Sequence, residues 1–221
     1  MNPDRTYRHF CMGARALEAI GERWTLLIVR DLLVGPRRFS DLERGLNEIT
    51  PTRLTGRLRQ LESAGIVVRD ASAGGREVWY RLTDAGRDLE PVIDALTLWG
   101  IEHIKEGPVA GEPVHPEPTM TGTKVWLNNY GPELPDGLTW VWRFRGEDAY
   151  TLHRSDGAWH LTRGEGSSAV VTVMSTQRAW ASFLTSPRTK RRLPAAEVTL
   201  EGSSAELKRF AKAFAAEFGR R

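Results

Sequence analysis

The sequence predicts an α+β protein in two parts, a helical first half closed by a β-hairpin and a second half in which an antiparallel sheet packs with helices. Three observations carry that expectation. Apolar residues recur at three- and four-residue spacing through the first hundred residues, and apolar and polar residues alternate strictly along segments of the last hundred. Between them, residues 107–122 read GPVAGEPVHPEPTMTG and hold four of the twelve prolines with no apolar periodicity. At roughly 100–150 residues per domain, 221 residues accommodate two small domains. The boundaries expected are 1–106, an extended proline-rich linker over 107–121, and 122–221.

Composition narrows the function classes. A single cysteine, Cys11, excludes an intrachain disulfide framework and a thiolate-rich zinc site, which fits a cytosolic chain. The N-terminus MNPDRTYRH has no apolar core, and no uncharged apolar run approaches the ~18 residues of a membrane span. Secretion and membrane insertion are therefore not expected. The net charge is +3, from 31 Lys+Arg and 28 Asp+Glu, but residues 1–106 hold 16 of each sign. Nucleic-acid binding must then rest on local clusters rather than on overall charge. No glycine-rich phosphate loop, nucleophile elbow or zinc-ligand spacing is present, so neither an enzyme nor a cofactor-dependent protein is expected.

In the first half, Leu17, Ile20, Trp24, Leu27 and Ile28 predict one amphipathic helix over 14–33, ended by Gly35-Pro36. Ser40-Asp41-Leu42-Glu43 fits a capping box that opens a short helix over 41–46. Thr50 caps a third helix with Pro51 in its first turn, and Gly65 ends it. There Leu54, Leu58 and Leu61 share one face, while Thr52, Gly56, Arg59 and Gln60 point away and Arg53 and Arg57 flank them. Two strands follow, 66–71 and 76–82, joined by Ser72-Ala73-Gly74-Gly75. Thr83 caps a last helix over 84–104 with a stripe of Leu89, Val92, Ile93, Leu96, Trp99 and Ile104, bent at Pro91.

Helix, helix, helix and hairpin in this order form a winged helix-turn-helix, whose third helix enters the major groove while the hairpin reaches the flanking backbone. A leucine-backed helix with an arginine-bearing outer face suits that task, because arginine offers two donors to guanine O6 and N7. The residues predicted to meet bases or phosphates are Thr52, Arg53, Thr55, Gly56, Arg57, Arg59 and Gln60 on the third helix. Arg37, Arg38 and Ser40 before the second helix and Arg76 on the wing complete the set.

The runs Trp24-Thr25-Leu26-Leu27-Ile28, Gly35-Pro36-Arg37-Arg38-Phe39-Ser40-Asp41-Leu42, Leu54-Thr55-Gly56-Arg57-Leu58-Arg59-Gln60-Leu61, Tyr80-Arg81-Leu82-Thr83 and Trp99-Gly100 closely resemble the HxlR family of bacterial transcriptional regulators. The resemblance covers about the first 105 residues. It implies a homodimer, joined through the N-terminal segment and the long last helix, on a pseudo-palindromic operator. Family members often carry a cysteine before the first helix, in some the sensor of oxidants or electrophiles. Cys11 falls there, followed by Met12 where many members have proline. Two roles stay open for it, a small apolar residue at a dimer interface or a thiol sensor.

In the second half, Leu138, Trp140, Trp142 and Phe144 alternate with Thr139, Val141, Arg143 and Arg145, a half-buried strand. Strands over 150–153 and 158–162 flank the turn Ser155-Asp156-Gly157, and strands over 169–174 and 196–200 follow. Helices are expected over 178–184 and 204–218. The order of elements is similar to the sterol carrier protein type-2 domain, over about 122–218. That resemblance implies an apolar tunnel for a lipid or other hydrophobic effector and supplies no catalytic residues; a lipid-binding accessory protein whose first domain no longer binds DNA is the other function class left open. Trp140, Trp142, Trp159, Trp180, Phe183, Phe210 and Phe214 are its candidate lining, with plain core packing as the other reading. His153 and His160 can face each other across the hairpin but lack a third metal ligand. Arg188, Lys190, Arg191 and Arg192 read as a solvated loop or a seat for an anionic head group.

Overall fold

The computed structural model describes residues 7, 10–71, 77–104, 106–187, 191–194 and 196–214. Its contacts divide the chain into two compact units, Met1–Ile93 and Asp94–Arg221. The expected tip Ser72-Ala73-Gly74-Gly75, Arg76, Arg188, Lys190 and the end of the last helix lie outside the described residues.

The first unit opens with α1 (Met12–Ile20) and α2 (Thr25–Leu33), where one helix over 14–33 was expected. Gly21 ends α1, its N–H donating to the Leu17 carbonyl at 2.8 Å. Trp24 then adopts a left-handed conformation with φ 77°, rare for a bulky side chain, and the chain turns before α2 begins. Apolar spacing of 3.6 runs through this break because both helices bury a face in the same core, so periodicity alone does not reveal it.

After β1 (Arg37–Arg38) comes α3 (Phe39–Leu46). Its cap is Arg38, not Ser40: the Arg38 N–H donates to Asp41 Oδ2 at 3.2 Å, and Ser40 sits inside the first turn. The turn into α4 (Pro51–Ser63) is made by Asn47 and Glu48, both at positive φ. β2 (Val67–Ala71) and β3 (Val78–Leu82) form an antiparallel wing with β1 on the outer side, in the order β1-β3-β2. The expected bent helix over 84–104 is two, α5 (Asp84–Arg87) and α6 (Glu90–His103). Pro91 has no N–H to donate and its ring crowds the carbonyl four residues back, so the break falls just before it.

Ile28, Val29, Leu42, Leu54, Leu58, Leu61, Leu82 and Ile93 pack into one core beneath these helices. Ile28, Val29 and Leu54 are entirely inaccessible. Truncating any of these leucines to alanine costs about 2–5 kcal/mol.

In the second unit the proline-rich stretch does not stay extended to residue 121. Pro116 starts α7 (Pro116–Tyr130), and Pro116 and Pro118 both fit its first turn, where no N–H has an intrahelical partner. Buried residues of α7, among them Met120, Thr123 and Val125, hold it to the rest of the unit. Asn128 clamps β6 (Ala158–Arg163) by donating to the Trp159 carbonyl at 3.1 Å and accepting its N–H at 2.7 Å.

The sheet comprises β4 (Thr139–Phe144), β5 (Ala149–Ser155), β6, β7 (Val171–Ser175) and β8 (Thr199–Gly202) in the order β6-β5-β4-β7-β8. β5 and β6 meet at Asp156-Gly157, both at positive φ as a two-residue hairpin loop requires. An all-antiparallel sheet was expected; β7 instead runs parallel to β4. Two hairpins leave β6 parallel to β4, so a chain that returns to the other edge of β4 through residues 164–170 enters β7 in the same direction.

That crossover also corrects the half-buried reading of β4. The Gly166 N–H donates to Thr151 Oγ1 at 2.8 Å, and Thr151 Oγ1 donates to the Gly164 carbonyl at 2.8 Å. Thr139, Val141 and Thr151 are consequently buried. A Cβ on Gly166 would stand 2.6 Å from Thr151 Cγ2, which explains a glycine there.

On the other face lie α8 (Gln177–Thr185) and α9 (Ser204–Ala213). Trp140, Trp142, Trp159, Trp180, Phe183, Phe210 and Phe214 are all buried here, ring on ring. Centroids lie 4.4 Å apart for Trp140 and Trp159, 4.9 Å for Trp140 and Phe210, and 5.4 Å for Trp142 and Trp180. Such offset and edge contacts add about 0.5–1.5 kcal/mol per pair beyond area burial. The Trp180 indole N–H donates to Thr123 Oγ1 at 2.9 Å, tying α8 to α7. Arg191 is no solvated loop residue: it is buried 3.9 Å from the Trp126 ring and donates to the Leu184 carbonyl at 2.6 Å.

Candidate nucleic-acid interface

Helix α4 buries one face and presents the other to solvent. Thr50 Oγ1 accepts the Arg53 N–H at 3.4 Å, and Pro51 fixes the first turn. Leu54, Leu58 and Leu61 face inward, and the helix therefore turns the remainder of its surface outward. Thr52, Arg53, Gly56, Arg59 and Gln60 are exposed, while Thr55 and Arg57 are half-buried on the flanks. A Cβ added at Gly56 would meet nothing within 4 Å, so this face is open along its middle.

Along one flank runs a cleft of about 470 Å³ lined by residues of α4, Arg53, Arg57 and Gln60 among them, and by Glu22, Arg23 and Trp24 of the α1–α2 corner. Arg57 donates to Glu22 Oε2 at 2.8 Å and to Gln60 Oε1 at 2.6 Å. The Arg23 guanidinium lies 4.8 Å from the centroid of the Trp24 ring. These three corner residues escaped the sequence reading because a continuous helix would have carried them past α4; Gly21 was the available signal.

Arg37 and Arg38 separate. Arg37 is buried at 3% exposure, its Nε donating to the Asp31 carbonyl at 3.5 Å. It therefore does not offer the surface guanidinium expected of it. The two residues form strand β1, opposite Tyr80 and Trp79, and the period of two sends neighbouring side chains to opposite faces. Arg38 takes the outer face, pairs with Glu77 at 2.6 Å and lies 4.6 Å from the Trp79 ring centroid. Ser40 is exposed beside it. On the wing, Arg81 pairs with Asp70 at 3.7 Å.

Cys11 is an exposed free thiol at the start of α1. Arg15, one of its basic neighbours in sequence, is engaged with Glu18 at 3.2 Å, and Arg8 and His9 lie outside the described residues. Large apolar side chains stand exposed nearby in sequence, Phe10, Met12 and Leu17, and again on α6, where Leu96 and Trp99 are 54% and 56% exposed. In the second unit His153 and His160 are cross-strand partners as expected, with His153 Nδ1 3.0 Å from Thr139 Oγ1. Among the described residues no group of three His, Cys, Asp or Glu side chains could hold a metal ion, and no helix is long and apolar enough to cross a membrane.

A short helix, a turn through two residues at positive φ, a leucine-backed helix with an arginine-bearing face and an antiparallel wing define the winged helix-turn-helix class. The model of the HxlR-like helix-turn-helix family matches residues 19–108. An uncharacterized HTH-type transcriptional regulator of Mycobacterium tuberculosis, Rv3095, is 42% identical over 136 residues, 56% of this chain and 85% of the relative. Another from Bacillus subtilis, YtcD, is 39% identical over 89 residues, 40% of this chain and 71% of the relative. The chain belongs to this family of HTH-type transcriptional regulators. Among solved structures, the redox regulator HypR in its reduced form is 33% identical, with a TM-score of 0.40 over 42% of this chain and 92% of that one.

Proposed function

We propose that the protein binds a pseudo-palindromic operator as a homodimer, with α4 of each copy in a major groove. The observation that carries this reading is the outer face of α4, where Arg53, Arg59, Gln60, Thr52 and Thr55 stand around an open Gly56 in a chain of the regulator family. Arg53, Arg59 and Gln60 read base edges; Arg57, Arg38 and Ser40 take phosphates. Arg37 is left out of the interface on account of its burial. The second copy covers exposed apolar side chains of α1, Leu17 among them, and separately those of α6, Leu96 and Trp99. Footprint titration tests the reading: Arg53→Ala and Arg59→Ala each weaken operator binding, and unchanged affinity in both overturns the placement of the reading face.

We further propose that regulation enters through a small hydrophobic effector of the second unit. The support is the Trp140 and Trp142 indole N–H groups, both buried and without a hydrogen-bond partner among the described residues, an arrangement a polar-tipped apolar ligand would satisfy. Effector and DNA are then linked by the effector's differential affinity for the two states. A rival reading makes Cys11 the switch, and the exposure of that thiol at the start of α1 favours it. Native mass spectrometry of the protein purified from its own host separates them. A co-purified small molecule released or retained on DNA supports the effector, whereas an empty dimer whose DNA binding responds to oxidant, and ceases to in Cys11→Ser, supports the thiol.

A further inference from the structure

The cleft beside α4 contains a carboxylate that DNA binding would be expected to exclude. Arg23, Arg53 and Arg57 face it and would attract a backbone phosphate, yet Glu22 faces it too. Glu22 holds the Arg57 guanidinium at 2.8 Å while Gln60 takes a second donor at 2.6 Å, and the Arg57 side chain is only 19% exposed. A carboxylate and a phosphate accept from guanidinium in the same way, so Glu22 occupies the position a phosphate would take. We propose that Glu22 is a specificity-determining residue, an internal competitor for Arg57 that penalises binding to non-operator DNA. The inference rests on the reading of α4 as the DNA-reading helix.

Binding to arbitrary sequence depends on phosphate contacts. Arg57 joins them only by leaving Glu22, and the released carboxylate then confronts the duplex with like charge. On a non-operator duplex little offsets that exchange. On the operator, base contacts from Arg53, Arg59 and Gln60 hold α4 in the groove and carry it. The discrimination thus comes from a repulsive group placed against the wrong partner.

The experiment titrates the full chain against two duplexes, one selected from a random pool by the wild-type protein and one scrambled duplex of the same length and composition, across a range of salt. Glu22→Gln keeps a hydrogen-bond acceptor for Arg57 and removes the charge. It is expected to bind the scrambled duplex about three- to tenfold tighter, with a salt slope steeper by ~0.9, the value of one further phosphate contact. The selected duplex gains less, so the ratio of the two affinities falls. Glu22→Asp stays nearer to wild type, and in an Arg57→Ala background Glu22→Gln relieves only the like-charge repulsion, so its gain on the scrambled duplex is smaller than in the wild-type background. An unchanged scrambled-duplex affinity and salt slope, or the same gain without Arg57, overturns the proposal. So does a lowered thermal midpoint with an unchanged slope, which assigns Glu22 to holding the α1–α2 corner. A wild-type chain that binds no duplex overturns the DNA-binding reading itself, whereas a wild-type chain that discriminates no better than its Glu22→Gln variant overturns this inference alone.

Discussion

The two units spend their distinctive residues in opposite ways. In the first, arginines crowd the outer surface of α4 over a row of leucines, and the side chains that set this unit apart remain in contact with solvent. In the second, four tryptophans and three phenylalanines are sealed between the sheet and its helices, each touching another ring. An unusual concentration of one residue type therefore has no fixed meaning. Exposed arginine on a rigid helix is available chemistry, while buried tryptophan is first of all packing, and only the Trp140 and Trp142 N–H groups, without a hydrogen-bond partner among the described residues, point beyond that.

Mutations that separate stability from binding put the contrast at risk. Trp140→Ala removes the ring at the centre of the aromatic stack and is expected to destabilise the chain by about 3–5 kcal/mol in denaturant unfolding. A loss below ~1 kcal/mol would mean that the ring is loosely packed and contributes little to the core. Next in size, Arg53→Ala and Arg59→Ala are expected to cost about 1–3 kcal/mol each in operator affinity, with the unfolding midpoint unmoved. A matching loss of stability would make these arginines structural and erase the distinction between the units.

Smaller effects refine it. Thr50→Ala removes the α4 cap and should lower stability by about 1 kcal/mol, with operator affinity falling as the first turn frays. Gly56→Ala should act in opposite directions on the two properties. Its Cβ meets no neighbour, and replacing a mid-helix glycine stabilises by roughly 0.5–1 kcal/mol. Operator affinity nevertheless falls if the backbone approaches the groove there. A gain in both would move the closest approach away from Gly56.

Much of the first unit was legible. Thr50-Pro51 with Leu54, Leu58 and Leu61 announces α4 because capping, proline tolerance and amphipathicity are all local and agree. The same holds for the Asp156-Gly157 hairpin, where both positive φ values are encoded by adjacent residues. What escaped was non-local. The break at Gly21–Trp24 hides inside an unbroken apolar rhythm, and with it went Glu22, Arg23 and Trp24 as neighbours of α4. Arg37 reads as a surface charge until a two-residue strand pairs it with Tyr80 and turns it inward. Pro116 and Pro118 look like linker because proline counts say nothing of whether a helix starts upon them.

Order along the chain was enough to specify most of the helices, the wing and the class of protein, since each follows from interactions within a few residues of one another. It took the assembled fold to settle that β7 runs parallel to β4 and that α7 clamps β6. The same assembly set Arg57 against Glu22. Those outcomes depend on which distant segments meet, and that is fixed by burial of the whole apolar surface rather than by any local preference.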